Sequence, residues 1–183
     1  MTHWRPTLNK VKVAYWDLRG LAQVSRLLLS HFNVEFEDFH YDLDNNRAGW
    51  SEKDKKGMKL DFPNLPYLTI GSDFNMSESI AIEKFIVQKW GKPEYLGKNL
   101  QDNTKLEVFM SVFSEIDSAV RFMHFNKEHE KEKVALLEKY RDKLAQLDQM
   151  VGGKPWVLGY LTWVDFEVAE KSHYFQSLFP NAY

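Results

Sequence analysis

The 183 residues carry 24 Lys and Arg against 26 Asp and Glu, and a net charge of −2 leaves no broad basic surface for nucleic acid. An apolar share of 44% with 27% charged residues belongs to a chain that folds around a core, not to a disordered one. There is no cysteine, which excludes disulfides, thiolate metal sites, cysteine nucleophiles and dithiol redox chemistry, so any thiol chemistry here uses a borrowed thiol.

The opening segment, MTHWRPTLNKVKV, has no apolar run of signal-peptide length, and no later stretch approaches the ~20 apolar residues of a bilayer span. A soluble, cytoplasmic protein is the expectation. Aromatic residues make up 15% of the chain, and most of them are expected in the core. Residues 11–16 alternate apolar and polar side chains before the Tyr15-Trp16 pair and predict a strand, followed by a turn through Asp17-Leu18-Arg19-Gly20. Leu21, Val24, Leu27, Leu28 and Phe32 then recur at helical spacing, and the helix stops at Asn33 before a second alternating stretch over residues 34–39. Residues 42–59 are polar and predict a loop with a short helix near residues 51–56.

Pro63 and Pro66 forbid a continuous helix and leave residues 67–70 as a strand. Gly71-Ser72-Asp73 turns the chain into a short return strand over residues 74–76, and Ser77 is placed to cap the next helix. That helix carries Ile80, Ile82, Phe85, Ile86 and Trp90 and stops at Gly91-Lys92-Pro93. Beyond Asn99 the pattern is helical throughout. One stripe runs through Leu106, Phe109, Met110, Phe113, Ile116, Asp117, Val120 and Met123, and another through Val134, Leu137, Tyr140, Leu144, Leu147 and Val151. The alternating charges of residues 127–133 read as a solvated helix end. Thr162-Trp163-Val164-Asp165 has the form of a capping box. His124 and His129, five apart, are expected on different helical faces, which argues against a metal site.

This order of strand, helix, strand, short helix, hairpin and helix, with a proline opening the hairpin, is the thioredoxin-like arrangement. Joined to a helical domain, it resembles the cytosolic glutathione S-transferases. Ala14-Tyr15-Trp16-Asp17-Leu18-Arg19-Gly20-Leu21-Ala22 looks like the amino-terminal signature of their mu class, and Leu60-Asp61-Phe62-Pro63-Asn64-Leu65-Pro66-Tyr67-Leu68 looks like the mu-class segment before the hairpin. With Trp50, Glu78-Ser79, Asp117 and the Thr162 cap, the likeness runs from about Val11 to the last residue. It implies an α/β plus all-α fold: a thioredoxin-like glutathione-binding domain over residues 9–91 and an all-helical domain over residues 99–183. The second domain is expected to be incomplete at its C-terminus, because mu-class chains continue through further helices. A chain ending after Phe179 would expose Phe166, Phe175 and Phe179, and that surface would need more chain or an assembly partner.

The resemblance also implies roles. Tyr15 matches the catalytic tyrosine, whose hydroxyl favours the thiolate of glutathione; the bland alternative is a buried tyrosine at a strand end. Trp16, Leu21, Trp50, Asn64, Leu65 and Pro66 match glutathione-binding positions. Pro66 would be the cis-proline that turns the Leu65 backbone toward the cysteinyl group, against the alternative of a trans proline at a strand start. Glu78 and Ser79 match the γ-glutamyl site, or else merely cap a helix. Lys53 and Lys55 compete for the glycyl carboxylate, with Lys55 assigned. Asp117 either reaches across a dimer to the partner's glutathione or pairs with Arg121 in its own helix. Phe62 matches the aromatic key of the dimer interface. The function implied is conjugation of glutathione, as co-substrate, to small hydrophobic electrophiles by a homodimer with no metal or prosthetic group, no nucleic acid and no membrane. A glutathione-dependent isomerase or peroxidase would share the first site. The rival class is a structural or interaction module with weak or no catalysis, because the second active-site tyrosine of many mu enzymes would fall near Lys127, in the charged run.

Overall fold

The structure, a computed structural model, describes residues 10–44 and 47–180. Residue 9, at the expected start of the first domain, and residues 181–183, at the end of the second, lie outside the described residues. The chain divides into two compact units between Gly91 and Lys92.

In the first unit, β1 (Val11–Trp16) buries Val11, Val13, Ala14 and Tyr15. Four buried apolar residues out of six suit a strand covered on both faces. It sits inside a four-stranded mixed sheet of order β2-β1-β3-β4, parallel to β2 (Phe36–Tyr41) and antiparallel to β3 (Tyr67–Ile70), which pairs in turn with β4 (Phe74–Ser77). A tight turn at Gly20–Ala22 leads into α1 (Gln23–His31), and α3 (Ser79–Trp90) packs against α1. Between β2 and β3 a wide turn at Gly49–Asp54 runs into the single-turn α2 (Lys55–Gly57). This is the thioredoxin-like domain.

Two expectations shift here. β2 begins at Phe36, not at residue 34, because Asn33 adopts a left-handed φ of 54° and the Val34 N–H closes α1 on the Leu29 carbonyl at 2.9 Å. Phe36 is therefore the first residue to meet β1, opposite Val11, and the strand runs on through His40 and Tyr41. Ser77 does not cap α3. It ends β4 opposite Tyr67, and its hydroxyl donates to the Phe62 carbonyl at 2.6 Å, leaving Glu78 as the residue that enters the helix.

The second unit is helical. Asn99 caps α4 (Leu100–His124) by accepting the Asp102 N–H at 2.8 Å; α5 (His129–Val151) ends at Gly152 with φ 59°, where the left-handed backbone favours glycine. The capping box at the start of α6 (Trp163–Leu178) is present: the Thr162 N–H donates to the Asp165 carboxylate at 2.7 Å. Val134, placed on the α5 core stripe by its spacing, is 70% exposed, because the chain has only just left the α4–α5 turn. The anticipated apolar surface at the end of the chain is corrected too. Phe175 and Phe179 are buried and Phe166 is half-buried, since Phe175 lies against Phe113 of α4 and Phe179 beside Lys133 of α5. No helix among the described residues is long and apolar enough to cross a membrane.

Candidate glutathione site

The strand registers gather the predicted residues of the first unit at one end of the sheet. Ala14 pairs with Tyr67, and Tyr67 pairs with Ser77. The next positions outward on these chains are Tyr15, Pro66 and Glu78, side by side. On the other flank of β1, Tyr15 pairs with His40.

Tyr15 is buried, and its hydroxyl has no hydrogen-bond partner among the described residues. Beneath the ring lies Gly20, at φ 42°. A Cβ on Gly20 would stand 2.6 Å from Tyr15 Cε1 and 3.0 Å from its hydroxyl oxygen, so only glycine lets the turn pass under the phenol. Trp16 is half-buried and edge-on to Tyr41, and Leu21 is half-buried in the turn before α1.

The Leu65–Pro66 peptide bond is cis, and Leu65 and Pro66 are both buried. The Leu65 N–H donates to Asn64 Oδ1 at 3.0 Å, while Asn64 Nδ2 donates to Glu78 Oε1 at 3.3 Å, which links the loop before β3 to the start of α3. Ser79 is the first residue of α3. Glu78 has φ 72° and ψ 110°, a conformation costing a residue with a side chain ~1–3 kcal/mol. Glu78→Gly is therefore expected to match or exceed the wild-type melting temperature, by up to ~3 °C, and to melt above Glu78→Ala, which keeps the Cβ. A glycine variant that melts below the alanine variant would show that the backbone there is unstrained.

Trp50 is buried and stacks on Tyr67 with centroids 5.8 Å apart; it also lies 5.5 Å from Tyr41. Tyr41 donates to Asp54 Oδ2 at 2.6 Å, and its phenol is pushed up first by burial and then by its bonds to Asp54 and Tyr67. Trp50 thus belongs to an aromatic cluster that fastens the wide turn to the sheet. Lys53, on that turn, and Lys55, the first residue of α2, are both exposed.

Asp117 lies in the second unit. Its carboxylate, 5% exposed, meets Arg121 at 3.0 Å and stands 4.0 Å from Lys171 of α6. The ion pair with Arg121 of the intrahelical reading is present, through Oδ2, while Oδ1 is buried without a hydrogen-bond partner among the described residues. The two histidines also differ from expectation. His124 closes α4 and His129 opens α5, so the intervening turn brings their rings to 5.6 Å instead of setting them on separate faces. No group of three or more potential metal ligands occurs among the described residues.

The sequence reading passed over Arg26, Asp38, His40 and Tyr41 near this end of the sheet. The signal for the last two is the alternation of residues 38–41, polar, apolar, polar, apolar, which carries the strand past Phe39.

The end of this thioredoxin-like sheet thus carries a tyrosine hydroxyl without a partner among the described residues, a cis-proline and an acidic helix entry. Residues 11–88 match the family model for the glutathione S-transferase N-terminal domain. Glutathione S-transferase 2 of Gallus gallus is 35% identical over 85% of this chain and 71% of its own length, and Glutathione S-transferase Mu 1 of Homo sapiens is 33% identical over 85% and 72%. The crystal structure of the glutathione S-transferase Blo t 8 superposes with a TM-score of 0.80 at 30% identity, covering 93% of this chain and 79% of that one. The structure of rat hPGDS complexed with a quinoline, at 23% identity, shares the fold with a TM-score of 0.78 over 94% and 83%. The chain belongs to the glutathione S-transferase family, and it is similar to its mu-class members.

Proposed function

We propose that the chain is a glutathione transferase in which the Tyr15 hydroxyl activates the thiol of glutathione for attack on small hydrophobic electrophiles. The observation that carries this reading is the Tyr15 hydroxyl, without a hydrogen-bond partner among the described residues, beside the cis Leu65–Pro66 bond and the entry to α3. Glutathione adds to the loop before β3 as an extra strand would, through the Leu65 main chain, and Asn64 gives up the Leu65 N–H as this happens. Glu78 takes the γ-glutamyl ammonium, while Ser79 and the α3 N-terminus take its carboxylate. Lys53 or Lys55 pairs with the glycyl carboxylate. The thiol proton leaves to solvent, and the sulfur lone pair forms a C–S bond as the electrophile's leaving group or conjugated system accepts the displaced electron pair. The first unit is then the glutathione-binding domain and the helical unit its companion. Retention on immobilised glutathione, followed by conjugation assays over a panel of electrophiles, tests this reading. A protein that is not retained overturns it; one that is retained but conjugates nothing supports the non-catalytic rival.

We read the working form as a homodimer keyed by Phe62. Its side chain is 74% exposed, while its carbonyl is held by the Ser77 hydroxyl, so an apolar anchor stands in solvent on a fixed backbone. A buried aromatic anchor contributes ~2 kcal/mol or more, so Phe62→Ser is expected to weaken association at least ~30-fold. Sedimentation of the wild type as a monomer at micromolar concentration would defeat the dimer.

A further inference from the structure

We infer that Arg26, with Asp38 and His40 behind it, forms a positioning clamp that fixes the Tyr15 hydroxyl by holding the turn beneath it. The inference rests on the proposed role of Tyr15. The turn after β1 sets where the phenol stands, because Gly20 lies directly under its ring. Backbone hydrogen bonds tie both sides of this turn: the Asp17 N–H reaches the Tyr41 carbonyl at 3.0 Å and the Leu18 N–H the Trp16 carbonyl at 2.7 Å, and the Gln23 N–H donates to the Gly20 carbonyl. A side chain adds to these ties at the carbonyls of Leu18 and Arg19, the two residues that lead into Gly20. Arg26 Nη1, projecting from α1, donates to the Leu18 carbonyl at 2.9 Å and the Arg19 carbonyl at 3.2 Å.

The guanidinium is itself held. Arg26 Nε donates to Asp38 Oδ1 of β2 at 2.9 Å. The other Asp38 oxygen meets His40 Nε2 at 2.9 Å, and His40 Nδ1 meets Asp17 Oδ1 at 2.8 Å. Arg26, Asp38, His40 and Asp17 therefore make a chain of contacts that leaves the turn at its Leu18 and Arg19 carbonyls and returns to it at Asp17, crossing α1 and β2 on the way. An open cavity of about 260 Å³ lined by these side chains adjoins the turn. A guanidinium serves here because its planar fork donates in several fixed directions at once, which an ammonium does not reproduce.

Stability alone does not account for the arrangement. Arg26 Nη2 is buried without a hydrogen-bond partner among the described residues, a cost to folding. At the other end, His40 is 41% and Asp17 71% exposed, where an ion pair adds little to stability. What remains is the path of the turn. Asp38 and His40 touch no reacting atom and are positioning residues, as is Arg26.

The test reads Tyr15 without requiring catalysis. The protein is labelled with 3-fluorotyrosine, the Tyr15 resonance is assigned by its loss in Tyr15→Phe, and its position, width and pH titration are compared in wild type, Arg26→Lys and His40→Gln. The expected result is a shifted, broadened Tyr15 line in both variants, with the His40→Gln melting temperature close to wild type and the other tyrosine lines in place. A turnover loss of roughly tenfold or more at unchanged KM for glutathione should accompany it. A Tyr15 line and titration superimposable on wild type in His40→Gln, or a lowered melting temperature with no change at Tyr15, overturns the proposal. His40→Gln, altering an exposed side chain, decides the matter even where Arg26→Lys does not fold. Wild-type protein that leaves bound glutathione protonated would count against the proposed function, while the fluorine comparison still decides the clamp.

Discussion

Replacing Asp165 by alanine is expected to remove ~3–5 kcal/mol of stability, a large part of the ~5–15 kcal/mol that holds a typical domain together. The carboxylate is 7% exposed and serves two segments at once. Its Oδ2 accepts both the Thr162 N–H and the Thr162 hydroxyl, each at 2.7 Å, and its Oδ1 accepts the Val157 N–H at 2.8 Å. Thr162 is fully buried and Val157 is 2% exposed, so neither N–H gains water when the acceptor is lost. Each buried unpaired donor costs ~1–3 kcal/mol, and the helix cap is worth about 1 more. At ~2–4 °C per kcal/mol the melting temperature should fall by roughly 10 °C. Asp165→Asn, which keeps one acceptor oxygen, should lie between the two, and Thr162→Ala should lose less than Asp165→Ala. Urea unfolding measures all three. An alanine variant within ~1 kcal/mol of wild type would show that the loop around Val157 finds other partners and that the box is not the tie described.

That box was legible because its chemistry is local: four consecutive residues supply donor, spacing and acceptor. β1 and β3 were legible for a similar reason, since a buried central strand shows its apolar run and the turn residues that bound it. The misses share a different cause. β2 starts at Phe36 because Asn33 and Val34 close the preceding helix through backbone geometry, which side-chain alternation does not reveal. Reading the strand two residues early hid His40, and with it the clamp. Asp117 is ambiguous by spacing, since Arg121 at i+4 and a partner across an interface are equally compatible with the sequence, and its further neighbour Lys171 lies more than fifty residues away on α6, out of reach of any local pattern. The identities of Tyr15, Pro66 and Glu78 came from a motif, but their adjacency comes from two ladder registers, and the strained backbone at Glu78 leaves no trace in its residue type.

Replacing Tyr15 by phenylalanine is expected to leave glutathione binding within about twofold of wild type while reducing turnover near neutral pH by roughly 8- to 25-fold. The phenyl ring fills the same space over Gly20, and the groups proposed to hold the peptide, from Leu65 to Ser79, are untouched. The loss falls on ionisation. A hydrogen bond to an anion contributes ~1.5–3 kcal/mol, and 1.36 kcal/mol corresponds to one pKa unit, so the hydroxyl should lower the bound thiol by ~1–2 units from the free value near ~8.5. The sign follows: stabilising the thiolate lowers the pH at which it forms, and removing the donor returns that midpoint upward. At pH 7 the variant therefore holds roughly 8- to 25-fold less thiolate, and the gap narrows as the pH rises past the midpoint of the wild type and closes above that of the variant. Thiolate absorbance of the bound tripeptide, titrated in both proteins beside the pH dependence of kcat/KM, reads the shift directly. Superimposable midpoints would remove Tyr15 from activation and leave it a buried strand-end tyrosine; a raised midpoint together with strongly weakened binding would mean that the hydroxyl also holds the ground-state peptide.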